Sequence, residues 1–309
     1  MNKQFLFYII KRVLLALLTV FVVMTATFFI MHIVPGGPFV SEKAVSESVQ
    51  AAMEAKYGLD KPLIVQYLTY MHDAIFNFDF GPSLKQKGRE VLDIIGDGFA
   101  VSAKLGIIAA IWGSVAGIVL GAIAAVKRNT LADRIIMVIS TLFISMPGFI
   151  IGTLLLLWLS LNLGWLPANG ATDGGLVLPI ITLGLSPMAN VTRLTRSSML
   201  DVLGQDYIRT AKAKGVSQRR IIFRHALKNG IIPDITYFGP MLASIVTGSL
   251  VVEQIFAVPG IGRAFIQSIT NRDYTVVMGT TIVLACLIVL MNLLSDIAYK
   301  AVDPRIELA

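Results

Sequence analysis

Between Val13 and Ile33 the chain carries no Asp, Glu, Lys or Arg. A bare run of about 20 residues is what a helix needs to cross the hydrocarbon core of a bilayer. Comparable apolar runs occur at 100–126, 135–161, 176–192, 231–252 and 276–297, with the basic residues gathered between them. Only 15% of the chain is charged, against roughly 25% in an average soluble domain. The sequence therefore predicts an all-α fold: a polytopic membrane protein with six transmembrane helices.

Charge asymmetry predicts which side each loop faces, because Lys and Arg accumulate in cytoplasmic loops. Lys3, Lys11 and Arg12 precede the first run. It resembles a signal peptide, but its apolar core is too long and no small-residue cleavage site comes after it, so it reads as a retained span with its N-terminus inside. Lys127, Arg128 and Arg134, nine basic residues from Arg193 to Lys228, and Lys300 and Arg305 fall in segments assigned inside. The short loops assigned outside hold only Arg263 and Arg272. Both termini are thus expected in the cytoplasm, with the chain crossing the membrane several times. The net charge of +7 belongs to this topology and not to nucleic-acid binding.

This gives an N-terminal segment and first span at 1–34, an extracytoplasmic region at 35–99, a membrane core at 100–298 with a cytoplasmic loop at 200–230, and a cytoplasmic tail at 299–309. Pro35-Gly36-Gly37-Pro38 breaks the first helix. The region after it carries nine Asp or Glu against six Lys or Arg between Phe39 and Phe99. It contains helical candidates at 42–57 and 62–76 and a turn at Asp79-Phe80-Gly81-Pro82-Ser83. A packed lid and a docking surface for an external partner are both compatible with it.

Within the spans, Gly113, Gly117 and Gly121 form a small-xxx-small stripe that admits a close helix neighbour. Pro147 and Gly148 interrupt the third run. A proline there predicts a kink near mid-membrane, serving as a plain bend or as a hinge or path-lining element. Glu253 through Gly262 is expected as an outside loop that ends near Arg272-Asp273-Tyr274. Deep carboxylates look scarce, and Asp296 is close enough to a span end to snorkel.

The strongly basic stretch 206–225 contrasts with everything around it. Residues 207–214 favour a helix, Gly215 suits the left-handed position that ends one, and Ser217 can cap a second helix beginning at Gln218. Val216, Ile221 and Ile222 share a side, while Arg219, Arg220 and Arg224 face elsewhere. Such a basic corner with an apolar knob fits either an interfacial helix on anionic membrane lipid or an element that docks into a soluble partner.

Other chemistries lack their residues. No Gly-Lys dipeptide occurs, so no phosphate-cradling loop for nucleotide is present. His32, His72 and His225 are scattered without metal-ligand spacing. The lone Cys286 has no disulfide mate and reads as packing filler. No catalytic residue, metal or cofactor is expected. A secondary transporter would show intramembrane ionisable residues or repeated broken helices, and an intramembrane enzyme would need a nucleophile and base.

Arg209-Thr210-Ala211 followed by Gly215 resembles the Glu-Ala-Ala-x3-Gly signature loop of ABC-transporter permeases. It departs from that signature in Arg209 for Glu and in Lys228 at the place of a proline, with Pro233 five residues later. Asp79 through Ser83, Ser145-Met146-Pro147-Gly148-Phe149, Arg193 through Met199, Arg224-His225-Ala226-Leu227-Lys228-Asn229, Phe256 through Gly262 and Asp303-Pro304-Arg305 extend the likeness over almost the whole length. The chain is similar to the first of the two membrane subunits of the bacterial oligopeptide/dipeptide permease family. The resemblance implies a peptide importer in which this subunit pairs with a homologous second permease. Two cytoplasmic ABC ATPase subunits would bind the coupling loop, and an extracytoplasmic peptide-binding protein would deliver cargo. It assigns ATPase coupling to Arg209, Thr210, Ala211, Gly215, Val216 and Ile221, with Arg219 and Arg220 as rim charge. Lookalikes of the same architecture carry dipeptides, murein peptides or nickel complexes.

Overall fold

The computed structural model describes residues 3–33, 54–55 and 58–302. The first helical candidate at 42–57, the Pro35–Pro38 break and the Asp303-Pro304-Arg305 end lie wholly or almost wholly outside them. The described residues are helical nearly throughout, with one isolated antiparallel bridge between Pro82 and Glu90. The helices are α1 (Lys3–Ile33), α2 (Leu63–His72, continued by a π-helical turn, Asp73–Asn77), α3 (Val91–Val126), α4 (Leu131–Ser145) and α5 (Gly148–Leu155, continued by a π segment, Leu156–Asn162). After them come α6 (Val177–Leu203), α7 (Asp206–Ala213), α8 (218–230, with a π turn at Ile221–Leu227), α9 (Ile232–Ile255), α10 (Ile261–Asn271) and α11 (Tyr274–Val302).

By length and composition, α1, α3, α6 and α11 can each cross a membrane, and α4 and α5, which meet at 106°, give a fifth span if the bent pair is counted as one. The fifth expected run lies in α9, which has 24 residues and carries Asp234 and Glu253 near its two ends. Two boundaries differ from expectation. Helix α3 begins at Val91, well before the apolar run, because the polar turns preceding the span join the same helix. Helix α6 continues past Thr192 to Leu203, carrying Arg193 and Arg196 on its last turns.

The chain forms two compact units. In the first, α1 and α2 meet through rings: Phe29 stacks on Tyr67 with centroids 5.3 Å apart, and Phe28 meets the same ring edge-on at 5.4 Å. Gln66 donates to the carbonyls of Leu59 at 3.0 Å and Lys61 at 2.7 Å, pinning the turn that leads into α2. Burial pushes the Tyr70 phenol above its ordinary pKa, since the charged form loses its hydration. The turn at Asp79 closes when its Oδ1 accepts from the Gly81 amide at 2.7 Å. The next loop is fastened by buried Asp273, which accepts from the Ser83 hydroxyl and from the Leu84 amide. The loop expected between Gly262 and Arg272 is instead the amphipathic helix α10.

The second unit is organised around α6, which buries a continuous face from Leu178 to Met199. Helices α4, α5 and α9 all pack against it. The glycine stripe of α3 lets a further helix come close. A Cβ on Gly113 would lie 2.7 Å from the Gly184 carbonyl oxygen, one on Gly117 2.7 Å from that of Met188, and one on Gly121 2.6 Å from that of Thr192. Only glycine permits that approach of backbone to backbone, and the close packing is what a small-residue stripe supplies in lipid. Trp112 Nε1 donates to the Ile180 carbonyl at 2.8 Å, at one end of the same contact.

Candidate functional site

The basic stretch folds into two helical segments joined at a tight corner. Helix α7 ends in a complete Schellman motif. The Gly215 amide donates to the Lys212 carbonyl at 3.0 Å and the Val216 amide reaches back to the Ala211 carbonyl at 3.1 Å. Gly215 itself has φ +73°, the left-handed conformation that a Cβ disfavours. Ser217 occupies the cap position of α8 in extended backbone, but its side chain makes no capping hydrogen bond.

Ile208 and Ile221 anchor the corner from beneath, each almost fully buried. Ile221 is 1% exposed, which corrects its assignment to a protruding knob: it holds the corner to the subunit and presents nothing outward. Further along α8, Ala226 packs with Ala125 and Met199, flanked by Leu203, Ile222 and Leu227. Gly230 is buried against Met199. Asn229 Nδ2 donates to the Tyr207 hydroxyl at 2.9 Å, tying α7 to α8.

What the corner presents outward is basic and aromatic. Arg209, Thr210, Gly215, Arg219, Arg220 and Arg224 are exposed, and Ala211 and Val216 are half-buried. Arg209 lies 3.6 Å from Asp206 with both side chains largely in solvent, so that pair contributes little. The large apolar side chains on this surface are Phe223, 68% exposed, and Tyr207. Sequence reasoning passed over both. Phe223 stands two positions from Ile221, where a regular helix already placed it off the knob.

A second feature lies at the other end of the α3–α4 turn. Asp133, buried in the first turn of α4, accepts from Arg196 Nε at 2.6 Å and Nη2 at 2.8 Å, and from the Asn129 amide at 2.9 Å. Arg196 is thus committed to a partner within the subunit. A two-armed Arg–carboxylate pair of this kind is geometrically specific as well as strong.

The expected kink in the third run is a full break. Met146 is extended (φ −87°, ψ 129°) and Pro147 comes next at φ −56°, ψ 135°, so α4 stops before the proline and α5 starts after it. The residue before a proline is pushed out of the helical region, and here the chain obeys this locally instead of bending through it. On the α4 side of the break Met137, Val138, Thr141, Leu142 and Ser145 form one open face of the helix. A Cβ on Gly148 would meet nothing within 4 Å.

Buried acids are more numerous than expected. Asp133, Asp234, Glu253 and Asp273 are all withdrawn from solvent. Glu253, assigned from sequence to an outside loop, is fully buried near the end of α9 and accepts from Ser102 Oγ at 2.7 Å.

Residues 117–308 match the family described as binding-protein-dependent transport system inner membrane component, and residues 5–105 match its N-terminal family. The dipeptide transport system permease protein DppB of Bacillus subtilis (strain 168) is 48% identical, covering 97% of this chain and 98% of its own. The oligopeptide transport system permease proteins OppB of Haemophilus influenzae and of Escherichia coli (strain K12) are 43% and 41% identical, each covering 97% of this chain and 99% of its own. Among solved structures, a chain of the MetNI methionine ABC transporter in inward facing conformations superposes with TM-score 0.56 at 17% identity, covering 68% of this chain and 97% of its own. That likeness speaks for the fold. The chain belongs to the binding-protein-dependent family of ABC-transporter inner membrane permeases, in its peptide-transport branch.

Proposed function

We propose that this chain forms half of the translocation path of an ATP-driven peptide importer and carries ATPase motion into the membrane through the corner at Gly215. The observation that carries the reading is one chain combining near-full-length identity to dipeptide and oligopeptide permeases with an exposed basic corner rigidly tied to the end of α6. A homologous second permease completes the path. Two cytoplasmic ATPases bind at 200–230, and an extracytoplasmic binding protein delivers peptides. In this arrangement six spans leave both termini in the cytoplasm of the inner membrane, with 35–99 outside and lipid around the exposed apolar faces.

Arg209, Thr210, Ala211, Gly215 and Val216 form the docking surface, with Arg219 and Arg220 at its rim and Phe223 and Tyr207 added to it. Ile221 acts from below by fixing the corner's angle. Transmission needs two packed states that the ATPases bind differently. The break at Pro147 and Gly148 borders the path, where interrupted helices are tolerated beside protein or water.

The test is reconstitution of the complex in vesicles with its second permease, ATPases and binding protein. Uptake of labelled di-, tri- and pentapeptides is measured against murein peptide and a nickel complex as competitors. Peptide-dependent ATP hydrolysis by the complex, and none by this chain alone, is the expected result. Import of the nickel complex in preference to every peptide would overturn the peptide reading.

A further inference from the structure

The second unit contains a cavity of about 390 Å³ whose walls include Ile118, Val191, Phe238, Leu242 and Met291, together with Asp234. Its volume is within the range of small-ligand pockets, roughly 300–1,000 Å³. Asp234 is the acid in this mostly apolar lining, Ser114 is the other polar side chain in it, and among the described residues no basic side chain lines the cavity. Asp234 is only 7% exposed. Its two oxygens are treated unequally: Oδ2 accepts from Thr195 Oγ1 at 2.7 Å, while Oδ1 has no hydrogen-bond partner and is closed to solvent.

A carboxylate set in an apolar wall with one oxygen unsatisfied is costly to the fold unless something pairs with it. Asp234 is the third residue of α9, at the end of that span next to the basic stretch, and ionisable groups within spans are rare and mark a path or a ligand by default. The other buried acids are accounted for: Asp133 has Arg196, Glu253 has Ser102, and Asp273 has Ser83 and the Leu84 amide. Asp234 alone among these four leaves an oxygen without a hydrogen-bond partner; the residue lines the cavity, and Oδ1 reaches it only when the carboxylate turns.

We propose that Asp234 and this cavity form a subsite for cationic side chains of the cargo. The aliphatic stem of a lysine-like residue packs on the apolar walls, and its ammonium meets Oδ1 once the carboxylate turns away from Thr195. Long cationic side chains bury their stems in this manner while keeping the charged head paired. The proposal rests on the peptide-import reading and deepens it, by making this subunit a second filter after the binding protein.

Two peptides test it in the reconstituted complex: Ala-Lys-Ala and its neutral counterpart Ala-norleucine-Ala. The binding protein is common to both assays, so its own preference cancels when the lysine-to-norleucine uptake ratio is compared between wild type and Asp234→Asn. That ratio is expected to fall about tenfold in Asp234→Asn and to recover at least in part in Asp234→Glu. An unchanged ratio, or an equal fall for both peptides, overturns the subsite. Loss of the second permease from the purified Asp234→Asn complex also overturns it, because Asp234 would then pair with a basic residue of that subunit. Pentylammonium binding to the same complex, against pentanol as control, gives a readout free of transport. If neither peptide is taken up yet pentylammonium binding still requires Asp234, the peptide reading falls and the cation site stands; if it does not require Asp234, the site falls.

Discussion

Arg196 grips both oxygens of Asp133, Nε to Oδ1 at 2.6 Å and Nη2 to Oδ2 at 2.8 Å, joining the first turn of α4 to the last turns of α6. With the aspartate buried, removing one partner strands a charge, and such losses run to about 3–5 kcal/mol. Asp133→Ala or Arg196→Ala should each lower the thermal midpoint of the detergent-purified chain markedly. The double variant should be less damaging than the sum, with a coupling of about 1–3 kcal/mol. Arg196→Lys should not restore stability, since an ammonium cannot reproduce the two-armed geometry. Strict additivity would show that the pair carries no coupling.

Glycine-to-alanine changes along α3 should separate by what the added methyl meets. Gly117→Ala places a Cβ 2.7 Å from both the Met188 oxygen and the Val191 Cβ, neither of which can move without shifting α6. Overpacking of this kind costs about 1–3 kcal/mol. Gly106→Ala meets only the Ile245 Cγ2 at 3.2 Å, a side-chain methyl that can yield. Thermal denaturation of the two variants should rank them in that order, and equal midpoints would remove the steric account.

At Gly215 a Cβ would touch nothing within 4 Å, so any effect of substitution comes from backbone strain at φ +73°. The left-handed conformation costs about 1–2 kcal/mol for a residue with a Cβ. Gly215→Val should reduce ATPase co-purification and peptide uptake while membrane insertion survives. Gly215→Ala should be milder, and Gly215→Asn milder still, because asparagine tolerates this region. Full uptake and full ATPase retention in Gly215→Val would return the stretch to the role of a membrane-surface helix.

Reporter fusions at Lys127 and Arg219 should give cytoplasmic signals, and fusions at Lys61, Asn169 and Arg263 external ones. The basis is the bias of basic residues toward the cytoplasm. A cytoplasmic signal at Lys61 would dismantle the six-span arrangement.

The helices and the corner could be read from the chain because their causes are local. Bare apolar runs mark the spans, and Lys214-Gly215-Val216-Ser217 contains the stop and the restart of α7 and α8. The buried acids could not be read that way. Ser102 lies 151 positions from Glu253, Thr195 39 positions from Asp234 and Arg196 63 positions from Asp133, and no periodicity links such partners. Pro147 was legible as a disruption but not in degree: its fixed φ and the extended Met146 give a break, and the 106° angle depends on how α5 packs against α6. Ile221 was misjudged because the period groups apolar side chains on one side of a helix without saying whether that side faces the subunit or a partner, and here it is buried.

The change of winding in α8 bears on insertions and deletions. Along α8 the buried positions run Ile221, Ala226 and Gly230, a step of five across the π turn and then a step of four. In a regular helix each residue turns the chain by about 100°, so the five-residue step absorbs one extra position without rotating the residues beyond it. Removing a single residue between Phe223 and His225 would let the segment rewind as a plain α-helix with its anchors still in phase. The outward surface would then be one side chain short. Adding a residue there would give the turn no such slack, and Ala226 and Gly230 would swing away from Met199. The segment should therefore accept a shortening that it refuses as a lengthening.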